Sequence, residues 1–105
     1  MTQVLVYVTA ASRDEALRIG RAAVESRLAA CANVLPAATT SIYWWQGKIE
    51  EATEVSLLLK TKAGLVDALV AKVKENHSYD CPCVVAVPIS GGNPQFLEWI
   101  DAETA

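Results

Sequence analysis

His77, Cys81 and Cys83 gather an imidazole and two thiols within seven residues. Soft thiolates together with an imidazole suit Cu(I) or Zn rather than Mg or Ca, so this segment is the best local candidate for a metal site. Pro82 restricts Cys81 to extended conformations. Residues two apart in an extended segment project to the same side, which lets both sulfurs meet one ion. Three ligands are one short of a closed tetrahedral zinc centre. The competing reading is structural. Free cysteine is among the most buried residue types, so Cys83 would open a buried strand and Cys81 would pack beneath the loop. His77 would then cap the helix that precedes it, where the helix dipole favours a cation. Cys31, with small and apolar neighbours, reads as a core residue.

No other constellation carries chemistry. The chain has no Gly-rich phosphate loop, nucleophile elbow or paired zinc histidines, and a Cys–His pair without a third orienting group is a weak catalytic signal. The expectation is a binding protein rather than an enzyme, with no required cofactor.

A single domain spanning residues 1–105 must position these groups, because 105 residues support one hydrophobic core. An apolar fraction of 52% and a charged fraction of 20% fit a globular chain. The apolar runs are too short to span a bilayer, and the N-terminus carries no basic-then-apolar leader. A net charge of −3 with scattered basic residues argues against a nucleic-acid surface. Cys81 and Cys83 stand too close for an unstrained disulfide, and the total of three cysteines is odd. Reduced thiols and a cytoplasmic location are expected.

The order of elements reads as strand, helix, strand, strand, helix, strand and a short terminal helix. Gln3 to Thr9 alternates Val4, Val6 and Val8 with Leu5 and Tyr7, giving a strand apolar on both faces. Ser12-Arg13-Asp14-Glu15 matches the capping box that opens a helix, here expected over Arg13 to Leu28. Small residues such as Gly20 and Ala23 on its apolar stripe allow close approach to a sheet. Ala32 to Leu35 and Thr39 to Trp45 read as one strand with a bend or bulge at Pro36. Gln46-Gly47 makes the turn, and Lys48 to Glu51 with Glu54 to Thr61 returns. A second helix is expected from Gly64 to Asn76, a strand over Val84 to Val87 ended or pushed to an edge by Pro88, and a helix over Gln95 to Asp101.

This pattern predicts an α+β, ferredoxin-like βαββαβ split sandwich with an extended β-hairpin and both main helices on one sheet face. The other face stays open. Trp44 and Trp45 are adjacent, so they point to opposite faces of the hairpin, and one aromatic set must face water unless something covers it. Each aromatic buries roughly 150–250 Å², worth about 2–3 kcal/mol, and a second copy of the chain is the simplest cover. Leu5, Tyr7 and Leu58 extend that patch, which marks an interaction surface.

Ala29-Ala30-Cys31-Ala32-Asn33-Val34, Ser41-Ile42-Tyr43-Trp44-Trp45-Gln46-Gly47-Lys48-Ile49, Leu59-Lys60-Thr61 and His77-Ser78-Tyr79 appear in this order. With them the chain resembles the CutA family of divalent-cation tolerance proteins, over nearly its whole length. The resemblance implies a homotrimer with an architecture shared with the PII signalling proteins, and it implies binding of copper or another divalent metal ion. The family's usual His-Pro-Tyr-Glu becomes His77-Ser78-Tyr79-Asp80, and the following Pro-Glu becomes Pro82-Cys83. A thiol in place of a carboxylate weakens a hard, carboxylate-rich metal site. The resemblance also implies that Ser41, Tyr43, Trp45, Lys60 and Tyr79 lie near grooves between subunits. Aromatics, hydroxyls and one cation would there suit a small anionic ligand, or they would form a network that only holds the trimer together. The functional expectation is therefore a copper-binding tolerance protein, with a PII-like signalling module or a trimeric scaffold for a protein partner as alternatives.

Overall fold

The computed structural model describes residues 2–105. Four strands form one antiparallel sheet in the order β2-β3-β1-β4, made by β1 (Gln3–Ala10), β2 (Cys31–Trp45), β3 (Lys48–Lys62) and β4 (Val84–Pro88). The βαββαβ order and the split arrangement of the sheet agree with the pattern of the sequence. Val4, Val6 and Val8 alternate inward along β1 and meet Leu57 and Leu59 of β3. Ala16, Ile19 and Ala23 of α1 (Arg13–Glu25) and Leu69 and Val73 of α2 (Val66–Glu75) complete this core, so both helices cover the same sheet face. A Cβ added to Gly20 would meet the Ala32 Cβ at 3.1 Å, which is why α1 can lie so close to β2.

Helix α1 stops three residues before the predicted Leu28. Arg27 adopts φ 63°, and the chain closes through Arg27 N–H to Val24 O (3.0 Å) and Leu28 N–H to Ala23 O (3.0 Å). This is the left-handed helix stop that glycine usually supplies. Here the C-terminus holds it instead: Ala105 N–H donates to Arg27 O at 2.9 Å, and the Arg27 guanidinium bonds the Glu103 carboxylate at 2.8 Å. The second helix begins later than predicted, after a 3₁₀ turn over Ala63–Leu65.

The expected irregularity at Pro36 is a register shift between Val34 and Ala38 within one continuous strand. At the far end of the hairpin Gln46 and Gly47 take φ 49° and 80°, the pair of left-handed residues that a two-residue turn between twisted strands requires. Beyond the helices both hairpin faces are bare: Ile42, Trp44 and Ile49 lie on one side, 67%, 72% and 62% exposed, with Tyr43 and Trp45 on the other.

The second sheet face is less open than predicted. Helix α3 (Pro94–Ala102), capped by Asn93, folds over its end. There Gln3 donates to both Asp101 carboxylate oxygens at 3.1 and 3.0 Å, and Ile100 is fully buried. No helix is long and apolar enough to cross a membrane among the described residues.

Candidate functional site: an acidic aromatic groove

The uncovered part of that second face holds a cavity of about 520 Å³. Its floor is strand. Tyr7 and Thr9 come from β1, and Ser41, Tyr43 and Trp45 come from alternate positions of β2. Glu54 comes from β3, where pairing with Thr39 puts it on the same face as Tyr43 and Trp45. A chain of hydroxyls underlies the groove, with Ser56 Oγ 2.8 Å from both Tyr7 OH and Thr39 Oγ1. The loop between α2 and β4 forms the wall through Tyr79, Asp80, Cys81 and Cys83.

That loop is pinned from below by Glu15. The predicted capping box is present, with Glu15 N–H donating to Ser12 Oγ at 3.1 Å. The Glu15 carboxylate, however, accepts from Ala11 N–H at 2.7 Å and from Ser78 N–H across the fold. Burial by itself raises the Glu15 pKa, but these backbone donors outweigh it and hold the carboxyl below its ordinary value. The His77 side chain is fully buried. Its Nε2 lies 2.7 Å from Thr9 O and its Nδ1 accepts from Tyr79 N–H at 3.1 Å, which assigns the neutral Nε2–H tautomer.

Both ring nitrogens of His77 are therefore engaged, and the imidazole does not join Cys81 and Cys83 as a third ligand. Among the described residues no three His, Cys, Asp or Glu side chains converge on one point. The two thiols do share the groove wall, and both are exposed rather than packed away as the structural reading of the sequence expected. Two thiols are fewer donors than a closed tetrahedral zinc centre needs. Although the residue is exposed, the groove wall partly shields its sulfur, and that desolvation, with the Glu54 charge second, pushes the Cys83 thiol up.

Ser41, Tyr43, Trp45 and Tyr79 come together as the sequence reading grouped them, but Lys60 does not line the groove. Its ammonium sits at the α3 end of the sheet, bonded to Asn33 Oδ1, 3.6 Å from Cys31 Sγ and 5.8 Å from the Phe96 ring centroid. Cys31 is accordingly half-buried rather than a core residue. Thr9, Glu54 and Asp80 were missed, and Tyr7 was placed on the open face without being joined to the groove. Counting back from the two-residue turn places Glu54 on the aromatic face, so the signal for it was present in the hairpin. Glu54 is 6% exposed, and no Lys, Arg or His pairs with it among the described residues. The Tyr79 hydroxyl, pushed up to about 12 by burial first and then by its hydrogen bond to Glu54, stays protonated.

Comparison with known proteins is consistent over this whole framework. The family model described as CutA1 divalent ion tolerance protein matches residues 4–103. The divalent-cation tolerance protein CutA of Archaeoglobus fulgidus is 45% identical over 96 residues, 91% of this chain and 92% of that protein. A chloroplastic CutA 1 of Oryza sativa is 43% identical over 96% of this chain, which spans only 56% of that relative's length. The solved structure of the divalent cation tolerance protein Cut A1 from Thermus thermophilus superposes with a TM-score of 0.95 at 42% identity, covering 98% of this chain and 99% of that one. With fold, hairpin and matched length in agreement, the chain belongs to the CutA1 divalent ion tolerance family.

Proposed function

We propose that the protein serves divalent-cation tolerance as a cytoplasmic homotrimer that takes up copper, as Cu(I), through Cys81 and Cys83. The observation that carries this reading is the presence of both thiols on the wall of one groove, because two thiolates select soft ions over the hard cations abundant in cells. The family description supports the tolerance role. Bare apolar residues on both faces of the hairpin support association between copies of the chain, and the count of three follows from the family resemblance. Three unpaired cysteines fit a reducing compartment.

A small anionic ligand is disfavoured within one chain, since the groove carries Glu54 and Asp80 and lacks Lys60. The test is native mass spectrometry of untagged protein, handled anaerobically and titrated with Cu(I) against a competing chelator. A trimer holding one copper per chain, lost on Cys81→Ser with Cys83→Ser, is the expected result. A trimer that surrenders its copper to the chelator would overturn the metal reading.

A further inference from the structure

We propose that, when copies of the chain associate, Lys48 at the hairpin tip of one copy enters the groove of the next and pairs with its Glu54. This rests on the association of copies proposed above and names the residues that make it specific. Copper plays no part in it.

Covering the groove sets the requirement. Glu54 is 6% exposed in a single chain and lines the groove beside Asp80, with no Lys, Arg or His among the lining residues. The Tyr79 hydroxyl donates to it but brings no charge. A neighbour that seals this face removes the remaining water, and a carboxylate enclosed in that way is costly unless a cation comes with the cover. The covering copy must therefore bring one.

Lys48 is the cation left to do so. Of the nine Lys and Arg residues, three belong to α1 and two to α2 in the helix layer, and Arg27 is bonded to Glu103. Lys60 and Lys62 are held at the α3 end of the sheet, Lys60 by Asn33 and over the Phe96 ring, Lys62 by the Asp101 and Thr104 carbonyls. Lys48 is exposed and forms no ion pair among the described residues, not even with Glu50 two positions on.

Strand register gives Lys48 the right face and the wrong distance. It pairs with Trp45, as Glu54 pairs with Thr39, and an even separation along one strand turns Lys48 and Glu54 to the same side. Six steps of about 3.3 Å put them about 20 Å apart along β3, beyond the reach of a lysine side chain. The pair cannot close within a chain and closes between two. Trp45, beside Lys48 on that face, enters with it and supplies apolar contact. Every copy gives one lysine and receives one, so a closed ring leaves no Glu54 unpaired.

The test is disulfide trapping in the full chain. With Cys31, Cys81 and Cys83 replaced by Ser, the double variant Lys48→Cys with Glu54→Cys is mildly oxidised and run on a denaturing gel without reductant. Chains joined to one another by a reducible bond are expected, and neither single variant is expected to join them. Unjoined chains from a double variant that still sediments as an oligomer, or chains joined by either single variant, would overturn the pairing. Lys48→Ala, at an exposed tip, keeps the test open should the change at buried Glu54 disturb folding. It is expected to raise the concentration at which the oligomer dissociates by about thirtyfold or more, and an unchanged value would overturn the pairing as well. Sedimentation of the unmodified protein separates the two readings: a single chain at every concentration removes association itself, whereas an oligomer without this link overturns the present inference alone.

Discussion

Glu15 and His77 meet beneath the loop that carries both thiols, carboxylate oxygen and Nδ1 3.7 Å apart, with side chains 5% and 0% exposed. Around them Glu15 accepts from Ala11 and Ser78, and His77 joins Thr9 to Tyr79. The start of α1, the end of β1 and the loop after α2 are thereby tied into one knot. This knot helps to fix the height of Tyr79, Cys81 and Cys83 above the sheet.

Replacing Glu15 with Ala removes the acceptor for two part-buried backbone donors at once. Hydrogen bonds to charged groups contribute about 1.5–3 kcal/mol each, so the variant is expected to lose about 3 kcal/mol of stability. Denaturant unfolding at fixed protein concentration reads this loss, and a shift under about 1 kcal/mol would mean that the loop is held elsewhere.

Acid should act through the same residue. The folded Glu15 carboxyl sits below its ordinary value of 4.5, so the unfolded chain binds a proton first as the pH falls. Stability from this group is complete above that value and is lost as pH drops through the folded pKa. Unfolding midpoints measured from pH 6 downward should therefore fall less steeply in Glu15→Gln than in the parent.

Cys83 should gain reactivity only at high pH. Burial and Glu54 raise its pKa above 9.0, and the thiolate is the nucleophile. Its alkylation rate, followed by mass spectrometry, is expected to keep climbing past pH 9, and Glu54→Gln is expected to speed it. If Cys83 takes up copper as proposed, the ion must displace this proton, so affinity for the metal should rise with pH. A Cys83 profile that levels off below pH 9 would contradict the assignment.

Association should depend on the bare hairpin. Trp44 is 72% exposed beside Ile42 and Ile49 in a single chain, and burying such an aromatic contributes about 2–3 kcal/mol. Trp44→Asp is expected to lower the mass seen by light scattering from that of the proposed trimer toward monomer, with the circular dichroism of the core retained. An unchanged mass would place the interface on another surface.

Much of the fold was legible because its signals are local. Alternation of Val4, Val6 and Val8 assigned the buried face of β1, Ser12 and Glu15 marked the start of α1, and Gln46-Gly47 marked the hairpin turn. The end of α1 was not legible, because Arg27 is held in a left-handed conformation by Glu103 and Ala105, more than seventy residues away. Nor did any local pattern announce that α3 would fold across the second sheet face.

The site divides in the same way. By itself the sequence determined the family, the strand carrying Ser41, Tyr43 and Trp45, and the paired thiols around Pro82, because residue types and two-residue alternation suffice for these. Tertiary structure alone decided that His77 is spent on Thr9 and Tyr79, that Lys60 turns toward α3, and that buried Glu54 gives the groove its sign. The physical reason is distance along the chain. A carboxylate, a ring or an ammonium acts on whatever lies within a few ångströms, and strand register and loop pinning choose those neighbours from residues far apart in sequence.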